Sequence, residues 1–90
     1  MTRYLVERTF PEGLAIPADP NGAGVCSAVV GGNAKHEVTW IHSYVDASKT
    51  KTFCVYDGPT EQSIRDAAET NGLPVDRITE VRVLDPYFAY

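Results

Sequence analysis

The sequence is poor in basic residues and has no long apolar run. It contains 8 Lys and Arg against 12 Asp and Glu, a net charge of -4 at pH 7. Non-specific nucleic-acid binding depends on clustered Lys and Arg, so DNA and RNA partners are not expected. No run approaches the length of a bilayer span, and charges interrupt residues 1–10 where a signal segment would be apolar. We therefore expect a cytoplasmic protein with no membrane partner.

Cysteine and histidine are also scarce. Cys26 and Cys54 are the two cysteines, and in a reducing compartment they are predicted to be thiols rather than a disulfide. No CxxC, HxH or HExxH spacing occurs, so the sequence contains no established metal-binding motif. The glycines at residues 21–24 follow a proline-broken loop and lack a following Lys-Ser or Lys-Thr, so they are interpreted as turn residues.

Ninety residues with a hydrophobic fraction of 43% indicate one globular domain over residues 1–90. Hydrophobic periodicity predicts strands at residues 3–9, 38–45, 52–56 and 77–84, and helices at residues 22–34 and 61–71. Thr60 is the predicted N-cap of the second helix, and Asp19 or Asn21 that of the first. Glycine costs about 1 kcal/mol relative to alanine inside a helix, so the first helix is expected to bend or end at Gly31.

The order strand, helix, strand, strand, helix, strand is that of the ferredoxin-like βαββαβ sandwich, an α+β fold. It predicts a four-stranded antiparallel sheet with both helices on one face. The first and third strands should be central neighbours, with the second strand beside the third and the fourth beside the first.

The hairpin at residues 38–57 is predicted to sort its side chains between the two faces of the sheet. A register that pairs His42 with Cys54 and Trp40 with Tyr56 keeps the aliphatic set together. The face towards the helices is then expected to carry Tyr4, Val6, Ile41, Val45, Phe53, Val55, Val81 and Val83. The opposite face is expected to carry Leu5, Glu7, Trp40, His42, Cys54, Tyr56, Ile78, Glu80 and Arg82.

A sheet face that exposes Leu5, Trp40 and Tyr56 is too apolar to be stable in water. We expect a second copy of the chain, or the aromatic tail at residues 87–90, to cover it. The prediction is a homodimer with two-fold symmetry.

The same predicted face collects His42, Cys54, Glu80 and Glu7. Imidazole, thiolate and carboxylate together bind first-row divalent metal ions, so these four residues are the candidate metal ligands. The structural alternative is that His42 and Cys54 form an ordinary cross-strand pair while the two glutamates pair with arginines. Additional candidate ligands are His36, Glu37 and Asp46.

A second functional class is a small dimeric α/β-barrel enzyme whose organic substrate lies on this face between Trp40 and Tyr56. A thiolate-imidazole pair of Cys54 and His42 is compatible with the register. The sequence offers this pair no third orienting group and no evident oxyanion site, which favours binding over catalysis.

Four stretches resemble a family of small ferredoxin-like proteins that is common in actinobacteria and was long of unknown function. They are RYLVERTFPEGL, VTWIHSYV, KTFCVYDGP and GLPVDRITEVRVLDPYF. The characterised representative of the family is a nickel-responsive, nickel-binding dimer, so the resemblance implies a ferredoxin-like fold, dimerisation and nickel as the metal ion. This chain has Ala67 in its second helix, where many relatives have a histidine. The resemblance implies nickel sequestration or metal response rather than an enzyme.

Overall fold

The computed structural model describes residues 1–14 and 20–87, and for residues 20–23 and 25 it describes the backbone only. Its elements are β1 (Thr2–Thr9), α1 (Pro20–Ala34), β2 (Thr39–Val45), β3 (Lys51–Gly58), α2 (Glu61–Thr70) and β4 (Arg77–Val81). The predicted order of strands and helices is confirmed. The described part does not include Asp19, the Asn21 side chain or tail residues 88–90. The predicted N-cap of α1 and most of the predicted aromatic cover therefore lie outside it.

The strands form one antiparallel sheet in the order β2-β3-β1-β4. This is the predicted arrangement, with β1 and β3 in the centre. The last strand ends at Val81 rather than at residue 84. Its neighbour β1 begins at Thr2, and Arg3 already pairs with Val81. The residues after Val81 therefore pass beyond the start of β1 and have no strand beside them to pair with.

The second helix forms as predicted. The Thr60 side chain accepts a hydrogen bond from the Ser63 amide at 3.1 Å, which caps the first turn. The buried side of α2 consists of Ile64, Ala67 and Ala68. Beyond its end, Gly72 has a φ of 67°, a left-handed conformation that glycine adopts without steric cost.

The first helix runs from Pro20 to Ala34 and includes Gly31 and Gly32, so the predicted end at Gly31 is wrong. The reason for glycine at position 32 is packing against α2. Its neighbour there is Asn71, whose side chain donates to Asn33 Oδ1 at 3.0 Å. Within the described residues, neither helix is both long and apolar enough to cross a membrane.

The central strands do not present the faces that the sequence predicted. Tyr4 pairs with Tyr56 and Val6 with Cys54, and all four are buried in the core with Ile64. Tyr4 and Val6 therefore face the helices as predicted, whereas placing Cys54 and Tyr56 on the opposite face was wrong.

Phe53 and Val55 were predicted to face the helices, and this is also wrong. They pair with Glu7 and Leu5 respectively, and residues paired across neighbouring strands share a face. Both sets on β3 contain apolar or aromatic residues, so the alternation alone left the phase of the strand undetermined.

A β-bulge at Ile41 changes the phase of β2. Trp40 pairs with Tyr56 as predicted, but the next pair joins His42 to Val55, and Ser43 takes the position opposite Cys54. The extra residue places Trp40 on the helix side and His42 on the other side. The predicted His42–Cys54 pairing is therefore wrong, and Ile41 is 40% exposed instead of packed against the helices.

Strand β4 is also inverted relative to the prediction. Ile78 pairs with Val6 and Glu80 with Tyr4, which puts both on the helix side, while Val81 pairs with Arg3 on the opposite side. The other residues predicted for these faces lie at or beyond strand ends. Val45 pairs with Thr52 on the helix side but is about half exposed, and Arg82 and Val83 follow β4.

Candidate metal-binding face

The surface of the sheet that faces away from the helices is called the open face here. Pairing across the strands assigns its side chains as Arg3, Leu5, Glu7, Thr9, Thr39, His42, Tyr44, Lys51, Phe53, Val55, Asp57, Arg77, Thr79 and Val81. It combines an apolar centre on β1 and β3 with an imidazole on β2. Of the four predicted ligands, His42 and Glu7 lie on this face.

His42 is exposed, and the bulge at Ile41 directs it to the open face. Its ring contacts the Tyr44 ring edge-on, with centroids 5.1 Å apart and an interplanar angle of 83°. Its side chain makes no hydrogen bond or ion pair with another residue in the described part of the chain. A neutral imidazole in this position has a nitrogen lone pair available to a metal ion.

Glu7 lies on β1 opposite Phe53, and its Oε1 is 4.0 Å from Lys51 Nζ. An ion pair at that separation on a partly exposed surface contributes little to stability, so the carboxylate is available for another cation. Strand β3 separates Glu7 from His42, which sets their Cα atoms roughly 10 Å apart or more at the ordinary strand spacing.

Cys54 and Glu80 lie on the other side of the sheet. Cys54 is only 7% exposed, and its Sγ is 3.6 Å from Thr52 Oγ1. Glu80 is exposed on the edge strand, beside a groove that also contains Arg3 and Asp57.

The four predicted ligands therefore do not share a face, which corrects that part of the prediction. Among residues 1–14 and 20–87, no three or more His, Cys, Asp or Glu side chains come close enough to hold a metal ion. Their roles as ligands stay predictions.

Two of the three additional candidate ligands, Asp46 and His36, have side-chain partners. The Asp46 carboxylate accepts hydrogen bonds from the amides of Thr50 and Lys51 at 3.1 and 3.2 Å, which closes the hairpin turn. The Lys51 amide is the main cause of a lowered Asp46 pKa. His36 Nε2 is 2.7 Å from Thr70 Oγ1, a contact that joins the end of α1 to the end of α2.

Trp40 and Tyr56 do not form the walls of a substrate pocket on the open face. Trp40 packs against the core, and its indole Nε1 donates to Ser43 Oγ at 2.8 Å. Tyr56 is buried on the same helix side. This corrects the geometry on which the enzyme alternative depended.

Arg8 is a buried residue that the sequence interpretation did not single out. It is 2% exposed, and it donates to the Pro74 carbonyl and to Tyr56 Oη, both at 3.0 Å. Burial raises the pKa of Tyr56 to about 12 despite the nearby Arg8 charge, so the phenol is neutral at physiological pH. The sequence did indicate that Arg8 would be buried, because alternate residues of a strand share a face and Arg8 follows Tyr4 and Val6 in that alternation.

Arg3 and Asp57 form an ion pair at the edge of the open face. Arg3 Nε and Nη2 donate to the two carboxylate oxygens of Asp57 at 2.9 and 3.1 Å. These bonds lower the pKa of Asp57 below its ordinary value. The pair fixes β1 to β3 and leaves Asp57 already occupied by a cation.

The fold and the sequence both have known counterparts. A solved structure, SCO4226 from Streptomyces coelicolor A3(2), superposes with a TM-score of 0.71, covering 92% of this chain and 99% of that one at 16% sequence identity. No curated protein matches the chain. The family model described as nickel responsive protein SCO4226-like matches residues 4–81. The chain therefore belongs to the SCO4226-like family of nickel responsive proteins.

Proposed function

We propose that this protein binds a divalent metal ion, nickel, through the open face of its sheet, and that it acts in metal sequestration or response rather than in catalysis. The observation that carries the proposal is the exposed His42 imidazole, which has no protein hydrogen-bond partner in the described residues. Membership of a family described as nickel responsive supports nickel as the ion.

The donor chemistry of the open face suits nickel. Imidazole is a good ligand for Ni²⁺, and a carboxylate such as that of Glu7 can complete a mixed nitrogen and oxygen site. The wide spacing of the two residues on one sheet means that a single chain supplies only part of a coordination shell. Water or a second chain must supply the remaining donors.

A second copy of the chain is the occupant we propose for the open face. Leu5 and Val55 lie at its centre, and Tyr44 is 63% exposed at its margin. Burying such a surface between two copies removes apolar area from water. A two-fold axis would place each face against an identical one. We propose that His42 of one copy then approaches Glu7 of the other.

Cys54 and Glu80 stay in the proposal as candidate ligands that need a separate test. A thiol and a carboxylate are both metal donors, but the sheet lies between them and His42. The cytoplasm remains the proposed location, since both cysteines are free, as is usual in a reducing compartment.

The test is calorimetric titration of the metal-free protein, without an affinity tag, with NiCl₂ and in parallel with zinc and cobalt. We expect saturable nickel binding that weakens at least about tenfold in His42→Ala, since a nitrogen ligand is lost. His36→Ala is the matched control, because it removes the other histidine. Glu7→Gln, Cys54→Ser and Glu80→Gln then test the remaining ligands one at a time.

Sedimentation velocity with and without nickel tests the two-copy site. We expect a dimer. Its affinity for nickel should fall when the protein is diluted below the dissociation constant of the dimer. Nickel binding that is equal in wild type and His42→Ala would refute His42 as a ligand. Equal affinity in isolated monomers would refute the shared site while leaving metal binding itself intact.

A further inference from the structure

The core contains a positive charge that no described acidic residue balances. Arg8 is almost fully buried, and its described partners are a carbonyl and a neutral phenol. Its Nε has no hydrogen-bond partner among the residues that the structure describes, and it is shielded from solvent. A buried guanidinium normally has a counter-charge, because removing an ion from water is costly.

The acidic residues nearest in the chain to Arg8 and to its partner Pro74 are directed elsewhere. Glu7 precedes Arg8 and therefore lies on the open face, on the other side of the sheet. Asp76 follows the turn that contains Pro74, but its carboxylate accepts a hydrogen bond from the Thr9 hydroxyl. Neither residue forms an ion pair with Arg8.

We propose that Arg8 anchors a buried binding site for a small carboxylate anion, located between the helix side of the sheet and the turn at Pro74. Arg8 supplies the charge and the unpartnered Nε–H, and Tyr56 fixes the guanidinium by accepting from Nη2. This site lies on the opposite side of the sheet from His42, so it is independent of the proposed nickel function.

The chemistry of the anchor selects the ligand class. A guanidinium is a planar fork whose neighbouring N–H groups match the two oxygens of a carboxylate. Because Arg8 is almost fully buried and its partner Tyr56 belongs to the core cluster, a ligand beside Arg8 is limited to a few atoms. Acetate and formate have the required size, charge and planarity.

The experiment uses ¹⁵N-labelled, metal-free full-length protein. The arginine Nε–Hε resonances are followed by NMR while sodium acetate replaces sodium chloride at constant ionic strength. Arg8→Lys assigns the Arg8 signal by its loss, and Arg65, which is exposed and paired with Glu61 at 3.2 Å, is the internal control. We expect a saturable shift and slower hydrogen exchange at Arg8, with no change at Arg65.

Thermal unfolding gives a second readout. Acetate should raise the Tm of the wild type, of Arg65→Met and of His42→Ala, because a ligand that binds only the folded state stabilises it. Arg8→Met should lose this response. If that variant does not fold, the NMR titration of the wild type decides the question.

Three results would overturn the proposal. They are an Arg8 resonance that does not respond to acetate, an acetate response that persists in Arg8→Met, and saturation by inorganic phosphate but not by acetate. The last would show an anion site of a different class. If the protein responds to acetate through Arg8 but does not bind nickel, the metal proposal fails while the proposed anion site stands.

Discussion

The neighbouring glycines of α1 provide a matched pair of substitutions with opposite expected effects. A Cβ added at Gly31 meets no atom within 4 Å, whereas one added at Gly32 would lie 1.9 Å from Asn71 Oδ1. Both positions are in the same helix, so the gain in helix propensity from alanine is shared. The difference in the free energy of unfolding between the two variants therefore measures the cost of displacing Asn71.

The magnitudes follow from the hydrogen bonds involved. Alanine in place of glycine favours a helix by about 1 kcal/mol, which should appear in full for Gly31→Ala. In Gly32→Ala the Asn71 side chain must move, and the Asn33 Oδ1 acceptor, on a residue that is 2% exposed, loses its donor. An unsatisfied buried polar group costs about 1–3 kcal/mol, so this variant should be neutral or destabilised by up to about 2 kcal/mol.

Urea denaturation at pH 7, followed by circular dichroism, compares the free energies of unfolding. We expect Gly31→Ala to be more stable than Gly32→Ala by about 1–3 kcal/mol. In a domain of this size, each kcal/mol corresponds to roughly 4–8 °C in Tm. Equal stabilisation by both substitutions would refute the reasoning.

A double-substitution cycle identifies the cause of any difference. In an Asn71→Ala background the obstacle is gone, so Gly32→Ala should stabilise the protein as much as Gly31→Ala does. If Gly32→Ala remains destabilising there, the cost comes from the helix itself and not from Asn71.

Two further predictions concern the core and the acid response. Ile64→Ala removes a side chain that is 2% exposed and should lower the free energy of unfolding by about 2–5 kcal/mol, whereas Val30→Ala, on the surface, should change it by less than about 0.5 kcal/mol. Urea midpoints measure both, and equal effects would place Ile64 outside the core. Because Arg3 lowers the pKa of Asp57, that carboxylate stabilises the fold above its unfolded pKa of about 3.9 and loses this contribution as the pH falls further. Urea midpoints from pH 7 to 3 should therefore fall less steeply in Asp57→Asn than in wild type, and identical slopes would contradict the ion pair.

The sequence by itself determined the elements and their order. Thr60 caps α2, Ile64 and Ala67 form its buried stripe, and Gly72 follows its end, because capping, periodicity and left-handed backbone are local properties of a few neighbouring residues. The same local rules identified the strands, and the order of six elements then led to the sheet topology. For β1 the alternation was unambiguous, since Tyr4 and Val6 lie in phase.

Only the tertiary structure decided which chemistry lies on each face. A period of two has two phases, and on β3 both phases carry residues that can be buried, so Cys54 or Phe53 could have faced the helices. Pairing with β1 selected Cys54. The bulge at Ile41 then separated His42 from Cys54, because one extra residue reverses every later side chain on a strand. The predicted ligand set depended on the phase of β3 and on the phase of β2 after the bulge, so the structure divides it between the two sides of the sheet. Arg8 lies on the same side of β1 as Tyr4 and Val6, and it is buried in the core.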